Sequence, residues 1–205
     1  MMKKKKTNIN NYKKKEGVEV CREIDDARNA AMEIRTELNL LDVVNLDTVV
    51  NYIEEKLDCD IKIIRFNFDF LAKKINNDRF SKAGAYVIKE NDQYTIALNS
   101  KNDLVFQRFS MAHELGHIIL NHLNSKNSFI SFQIEYNVST IDIERCKNNE
   151  YYMKEQCANV FALELLIPKL PTSAGNSRDL IDFYANKYNV SHHAIIAKLD
   201  NQKSS

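Results

Sequence analysis

Across residues 18–41 the apolar positions Val20, Ile24, Ala27, Ala31, Ile34, Leu38 and Leu41 recur every three or four residues, which predicts an amphipathic helix. Asn45 or Asp47 can cap a second helix carrying Val49, Val50, Ile53 and Leu57. The period then shortens. Residues 60–66 (DIKIIRF) read as a strand, and residues 85–89 and 94–99 flank a polar stretch, 90–93, as a hairpin with a four-residue loop. Residues 103–120 form a third helix, residues 151–166 a fourth that stops before Pro168, and short helices at 178–188 and 191–199 close the chain. Residues 123–150 are polar and rich in Asn and Ser. They read as a substrate-facing loop or as strands that the pattern does not reveal.

At 205 residues the chain has room for one domain with appendages, and its 44% hydrophobic and 28% charged residues are those of an ordinary globular protein. The net charge of +1 hides a division. Residues 1–15 hold seven lysines and no acid, which predicts a disordered basic tail; the rest hold 22 basic against 28 acidic residues, a balance of −6. The acidic body argues against nucleic acid as the main ligand, leaving weak attraction of phosphates to the lysine tail. No apolar run follows the lysines as in a secretory leader, and none approaches a membrane span, so the expected location is cytoplasmic and no membrane partner is expected. Cys21, Cys59, Cys146 and Cys157 are scattered without a Cys-x-x-Cys pair, which predicts reduced thiols.

The chemistry is concentrated in His113-Glu114-Leu115-Gly116-His117, an H-E-x-x-H sequence inside the third helix. Given the five His and the Glu content of the chain, chance would supply about 0.008 such sequences. Positions i and i+4 share a helix face, so two imidazoles can bind one tetrahedral Zn²⁺ while Glu114, about 100° round, can act as base toward a water. Met111, Leu115, Ile118 and Ile119 supply an apolar stripe to bury the helix, and Gly116, unfavourable in a helix, suggests that something packs close there.

A catalytic zinc needs a third protein ligand. Helical geometry counts against His122, which falls 140° from His117 and reads as a helix-end residue, and puts Asn121 nearer the metal-facing side. His192 and His193 read as solvent-exposed. In the fourth helix Glu155, Ala158, Asn159 and Ala162 share a face whose small residues allow close helix approach. Glu155 would then face the histidines, with Asn159 one turn on as a hydrogen-bond partner. Spacing favours Glu155 over Glu164 but leaves the other acids open.

Residues 109–120 (FSMAHELGHIIL), followed by 155–162 (EQCANVFA) and 165–168 (LLIP), resemble the ImmA/IrrE family of bacterial zinc metallopeptidases. Many members carry His where this chain has Asn121, with His122 one step later, and an acid where it has Gln156. The resemblance implies a gluzincin-like site, with one Zn²⁺ on His113, His117 and Glu155 and Glu114 as base. Tyr86, Tyr136, Tyr151 and Tyr152 are the candidate oxyanion donors. It further implies a regulatory endopeptidase whose protein substrate is a separate DNA-binding repressor or antitoxin-like protein. The rival readings are a zinc-containing module that binds its regulator without cleaving it and a nucleic-acid-binding regulator. The expected fold is α+β, with a small, about three-stranded mixed or antiparallel sheet packed on the zinc-binding helices. The expected divisions are a tail at 1–15, a peptidase domain at 16–170 and a helical extension at 171–205.

Overall fold

The computed structural model describes residues 3–76, 78–123, 143–171 and 177–203. Its fold is α+β. Helix α1 (Lys3–Glu37) precedes α2 (Leu46–Leu57) and strand β1 (Asp60–Phe66). Helices α3 (Phe68–Ile75) and α4 (Asp78–Ser81) lead into β2 (Ala85–Glu90) and β3 (Gln93–Asn99). The chain continues through α5 (Leu104–Ile119), α6 (Ile143–Asn148), α7 (Glu150–Leu166), α8 (Arg178–Tyr188) and α9 (His192–Lys203). No described helix is long and apolar enough to cross a membrane.

The sheet is mixed, in the order β1-β3-β2, with β1 parallel and β2 antiparallel to β3. Glu90 pairs with Gln93, so the hairpin turns through Asn91 and Asp92 alone, two residues rather than four. Asn91 makes this tight turn possible by adopting a φ of 56°, a left-handed conformation that Asn tolerates better than most residues. Asparagine and aspartate serve the same purpose at helix ends, with Asp58, Asn76 and Asn189 closing α2, α3 and α8 in left-handed conformations.

Two differences from the sequence pattern have simple causes. Helix α1 starts at Lys3 and takes in the segment for which charge repulsion predicts disorder; lysine is a good helix former and the segment holds no proline. Helices α3 and α4 occupy a stretch to which the pattern assigns no element, because one or two helical turns are too short to establish a period.

The layers run from the sheet to α5, then α7, then α1. Ile96 and Leu98 of β3 and Val87 of β2 join the main core with Ala112, Leu115 and Ile118 of α5 and Phe161 and Leu165 of α7. The opposite face of the sheet is covered by α3 and α4, through Phe68, Ala72 and Phe80 against Tyr86 and Ala97. Val20, Ile24 and Ala27 of α1 pack on Tyr152, Met153, Cys157 and Val160 of α7. Ala194, Ile195, Ala197 and Leu199 bring α9 into the main core, and α9 packs on α7.

Candidate metal centre

Helix α5 begins at Asp103, whose carboxylate accepts from the Phe106 amide at 2.7 Å. Every residue from Phe109 to Ile118 is buried, as befits a helix enclosed by the sheet on one side and α7 on the other. The close approach of α7 depends on Gly116. A Cβ there would stand 2.9 Å from Phe161 Cδ1 and 3.3 Å from the Ala158 backbone, so the glycine marks a tight helix crossing.

This crossing brings together His113, His117, Glu155 and Asn159. The two histidine Nε2 atoms are 3.0 Å apart, and each faces a different oxygen of Glu155 at 3.4 Å. His113 is 5% exposed; His117, Glu155 and Glu114 are completely buried. On the far side of the His113 ring, Nδ1 lies 2.9 Å from Asn159 Oδ1. A carbonyl oxygen can only accept, so in this contact His113 Nδ1 is the donor, and Nε2 is the nitrogen turned toward Glu155.

His122 is close to the centre, contrary to the helical arithmetic. Its Nδ1 is 2.9 Å from His117 Nδ1. The arithmetic fails because α5 ends at Leu120 and Asn121 turns left-handed at a φ of 52°, with the His122 amide bonded back to the His117 carbonyl at 3.0 Å. The same reversal leaves Asn121 exposed, away from the metal-facing side.

The tyrosines separate clearly. Tyr86 is buried with Phe66, Phe68 and Phe80 on the face of the sheet remote from α5, so the fold does not bring it to this centre. Strand alternation sends Ala85 and Val87 toward α5 and Tyr86 away from it. Tyr152 lies in the layer between α7 and α1, with the Arg145 guanidinium 4.1 Å from its ring centre. Tyr151, 40% exposed, stands one turn before Glu155 on the same face of α7. Tyr136 lies outside the described residues. His192 and His193 are exposed, and His192 Nε2 pairs with Asp182 at 3.0 Å.

Burial alone would raise the Glu155 pKa, but the two facing imidazoles reverse this and hold it at about 2. Burial pulls His117 down to about 4 despite the carboxylate. For His113 burial also opposes protonation, but the Glu155 carboxylate outweighs it and the net shift is upward. Burial and then the nearby His117 take His122 down to about 3. The centre therefore holds an ionised carboxylate beside two imidazoles, His117 and His122, that burial keeps neutral, and a third, His113, that the carboxylate draws toward protonation.

These residues fit a metal ion. Among the described residues neither Glu155 oxygen has a donor at hydrogen-bond geometry, so both are open to a further ligand. Single donor atoms of His113, His117 and Glu155 lie within 4.8 Å of one another. Donors around a tetrahedral ion at 2.0–2.1 Å stand about 3.3 Å apart, close to the spacings found here. The described residues thus hold a buried His-His-Glu group able to take a metal, and small movements would complete it.

Residues 58–200 match the family model described as the IrrE N-terminal-like domain, Peptidase_M78. The matched span includes β1, all of α5 and α7, and most of α9. No curated protein matches the chain.

Proposed function

The chain belongs to the Peptidase_M78 family, and on that premise we propose that it is a zinc-dependent endopeptidase acting on a specific regulatory protein, a helix-turn-helix repressor or an antitoxin-like partner. The observation that carries the metal assignment is the buried cluster in which His113 Nε2, His117 Nε2 and the Glu155 carboxylate converge at 3.0–3.4 Å. Two nitrogens and a carboxylate oxygen are the donor set of catalytic zinc sites that keep a fourth position for water or substrate.

His113, His117 and Glu155 hold the ion in this reading. Bound there, Zn²⁺ supplies a Lewis acid that brings the pKa of a water toward about 7. Glu114 takes the proton from the attacking water and passes it to the leaving amine. It follows His113 directly in α5, and its complete burial keeps bulk water away from the proton in transit. Asn159 fixes the His113 ring through Nδ1. Tyr151 is the favoured oxyanion donor among the described residues, because it shares the Glu155 face of α7 and is partly exposed.

The substrate assignment rests on the family resemblance, and the acidic balance of residues 16–205 supports a protein rather than a nucleic acid as the target. The test is zinc analysis of the purified chain, followed by incubation with the helix-turn-helix regulator encoded beside its gene. Cleavage that chelation and Glu114→Gln both abolish supports the reading. If Glu114→Gln retains zinc and full regulatory effect, the protein acts by binding and the peptidase assignment is wrong.

A further inference from the structure

A cavity of about 540 Å³ lies between α1, the C-terminal end of α7 and α9. That volume is typical of small-molecule sites. Its lining carries four cations, Arg28, Arg35, Lys169 and Lys198, against one carboxylate, Glu164. Lys198 is 2% exposed and paired with Glu164, and Arg28 Nε stands 3.6 Å from the same carboxylate. Arg28 also pairs with the more exposed Asp25 at 2.6 Å.

Arg35 is placed differently. Its guanidinium donates to the backbone carbonyls of Leu165, at 2.6 Å, and Leu40. Those carbonyls satisfy N–H groups without neutralising charge, so among the described residues Glu164 and Asp25 answer Lys198 and Arg28 while Arg35 and Lys169 meet no carboxylate. Burial lowers the pKa of both Arg35 and Lys198, and the two guanidiniums oppose protonation of Lys198 further, against the pull of Glu164. Met32, Ile167 and Pro168 supply an apolar wall beside this positive region.

We propose that this cavity binds a small amphipathic anion, its phosphate or carboxylate headgroup meeting Lys198, Arg35 and Arg28 and its apolar body lying on Met32, Ile167 and Pro168. A fixed cluster of excess positive charge in a partly desolvated cleft favours an anion, and planar guanidinium groups suit oxyanions in particular. The site is separate from the metal centre. Glu164 follows Glu155 by nine residues on α7, roughly 13 Å along the helix axis. The proposal therefore stands whether or not the metal centre proves to be a peptidase.

The test is calorimetric titration of the full chain with inorganic phosphate, hexyl phosphate, hexanoate and hexanol. Saturable binding of hexyl phosphate or hexanoate is expected, with hexyl phosphate about tenfold or more tighter than inorganic phosphate, since burial of about two methylenes suffices for that factor. Hexanol should not bind detectably, and added salt should weaken the anions. Lys198→Met and Arg28→Gln should each reduce affinity by about tenfold, the loss expected on removing a charged hydrogen-bond donor. Circular dichroism checks the fold; if Lys198→Met is misfolded, Arg28→Gln and Lys169→Gln decide. No binding of either organic anion at millimolar concentration, equal affinity in the folded variants, or equal binding of hexanol would overturn the proposal. A preference between hexyl phosphate and hexanoate would identify the headgroup.

Discussion

His122 Nδ1 lies 2.9 Å from His117 Nδ1, on the edge of the His117 ring away from the nitrogen that faces His113 and Glu155. One of the two Nδ1 atoms must carry the proton. If His117 donates, its Nε2 keeps the lone pair that a metal needs, and His122 acts as the acceptor that fixes this tautomer. Removing an outer partner of this kind lowers metal affinity by about 10–100-fold. His122→Phe is expected to show a loss in that range in a chelator-competition titration. Unchanged affinity in a folded variant would mean that the contact does not orient His117.

The helix crossing gives a second prediction. Gly116→Ala should gain about 1 kcal/mol in helix propensity, yet the new Cβ would stand 2.9 Å from Phe161 Cδ1 and 3.3 Å from the Ala158 backbone. Overpacking of a close helix contact typically costs about 1–3 kcal/mol, so net destabilisation is expected, together with weaker metal binding as α7 is pushed away from α5. Adding Phe161→Leu should recover part of the loss. Urea denaturation of the two variants measures both effects, and a more stable Gly116→Ala would contradict the tight crossing.

These two residues also mark where sequence reasoning succeeds and where it stops. The H-E-x-x-H spacing and the small-residue face of α7 are regular helical signals; they lead to His113 and His117 and favour Glu155, which the family resemblance then supplies as the third of the side chains that the fold brings together. His122 was hidden because helical angles cease to apply at Asn121, whose φ of 52° is a property of the folded chain. Tyr86 stays among the candidates in the sequence because both faces of β2 are covered, and its first three residues show no alternation to tell the α5 face from the other. The tight hairpin at Asn91 was missed for a related reason. Four polar residues read as a loop, although the outer two complete the ladder as Glu90 and Gln93.

The thiols should differ sharply in reactivity. Cys21 is exposed, whereas Cys157 is buried and its pKa is pushed up to about 12, by burial first and then by Glu23. Alkylation depends on thiolate and access, so iodoacetamide at neutral pH should modify Cys21 in the native protein and reach Cys157 only after unfolding. Peptide mass mapping of native and denatured samples checks this. Rapid labelling of native Cys157 would show that α1 separates readily from α7.

The metal-free protein should lose stability as it is acidified. His117 and His122 have folded pKa values of about 4 and 3, below the 6.5 of the unfolded chain, so the unfolded state binds more protons as pH falls below about 6.5. Glu155 has the same sign, contributing above its ordinary value of 4.5 and losing that contribution as pH falls toward about 2. His113 is raised and runs the other way, its contribution being lost as pH climbs through its folded value. Two histidines outweigh one, so Tm should decline from about pH 6.5 to pH 4. His122→Phe should flatten that decline, and a Tm that rose on acidification would refute the assigned protonation states.

Glu155 supplies the sharpest separation of stability from chemistry. Its carboxylate is completely buried, and the two facing imidazoles hold it ionised with a pKa of about 2, so its charge is compensated even without a metal. Leucine has a similar size and no charge to desolvate. It also offers nothing to the two imidazoles, and because removing one partner of a buried charged group is strongly destabilising, Glu155→Leu should lower the stability of the metal-free protein by up to about 3–5 kcal/mol. The same change removes one of the three donors and should abolish tight zinc binding together with the stabilisation that zinc gives the parent, about 2.7 kcal/mol at a hundredfold excess over Kd. Denaturation of both proteins, with and without zinc, should show the variant less stable in each condition, with the gap widening by that amount when the metal is added. A variant more stable than the parent under metal-free conditions would mean that the imidazoles leave the carboxylate undercompensated until a metal arrives.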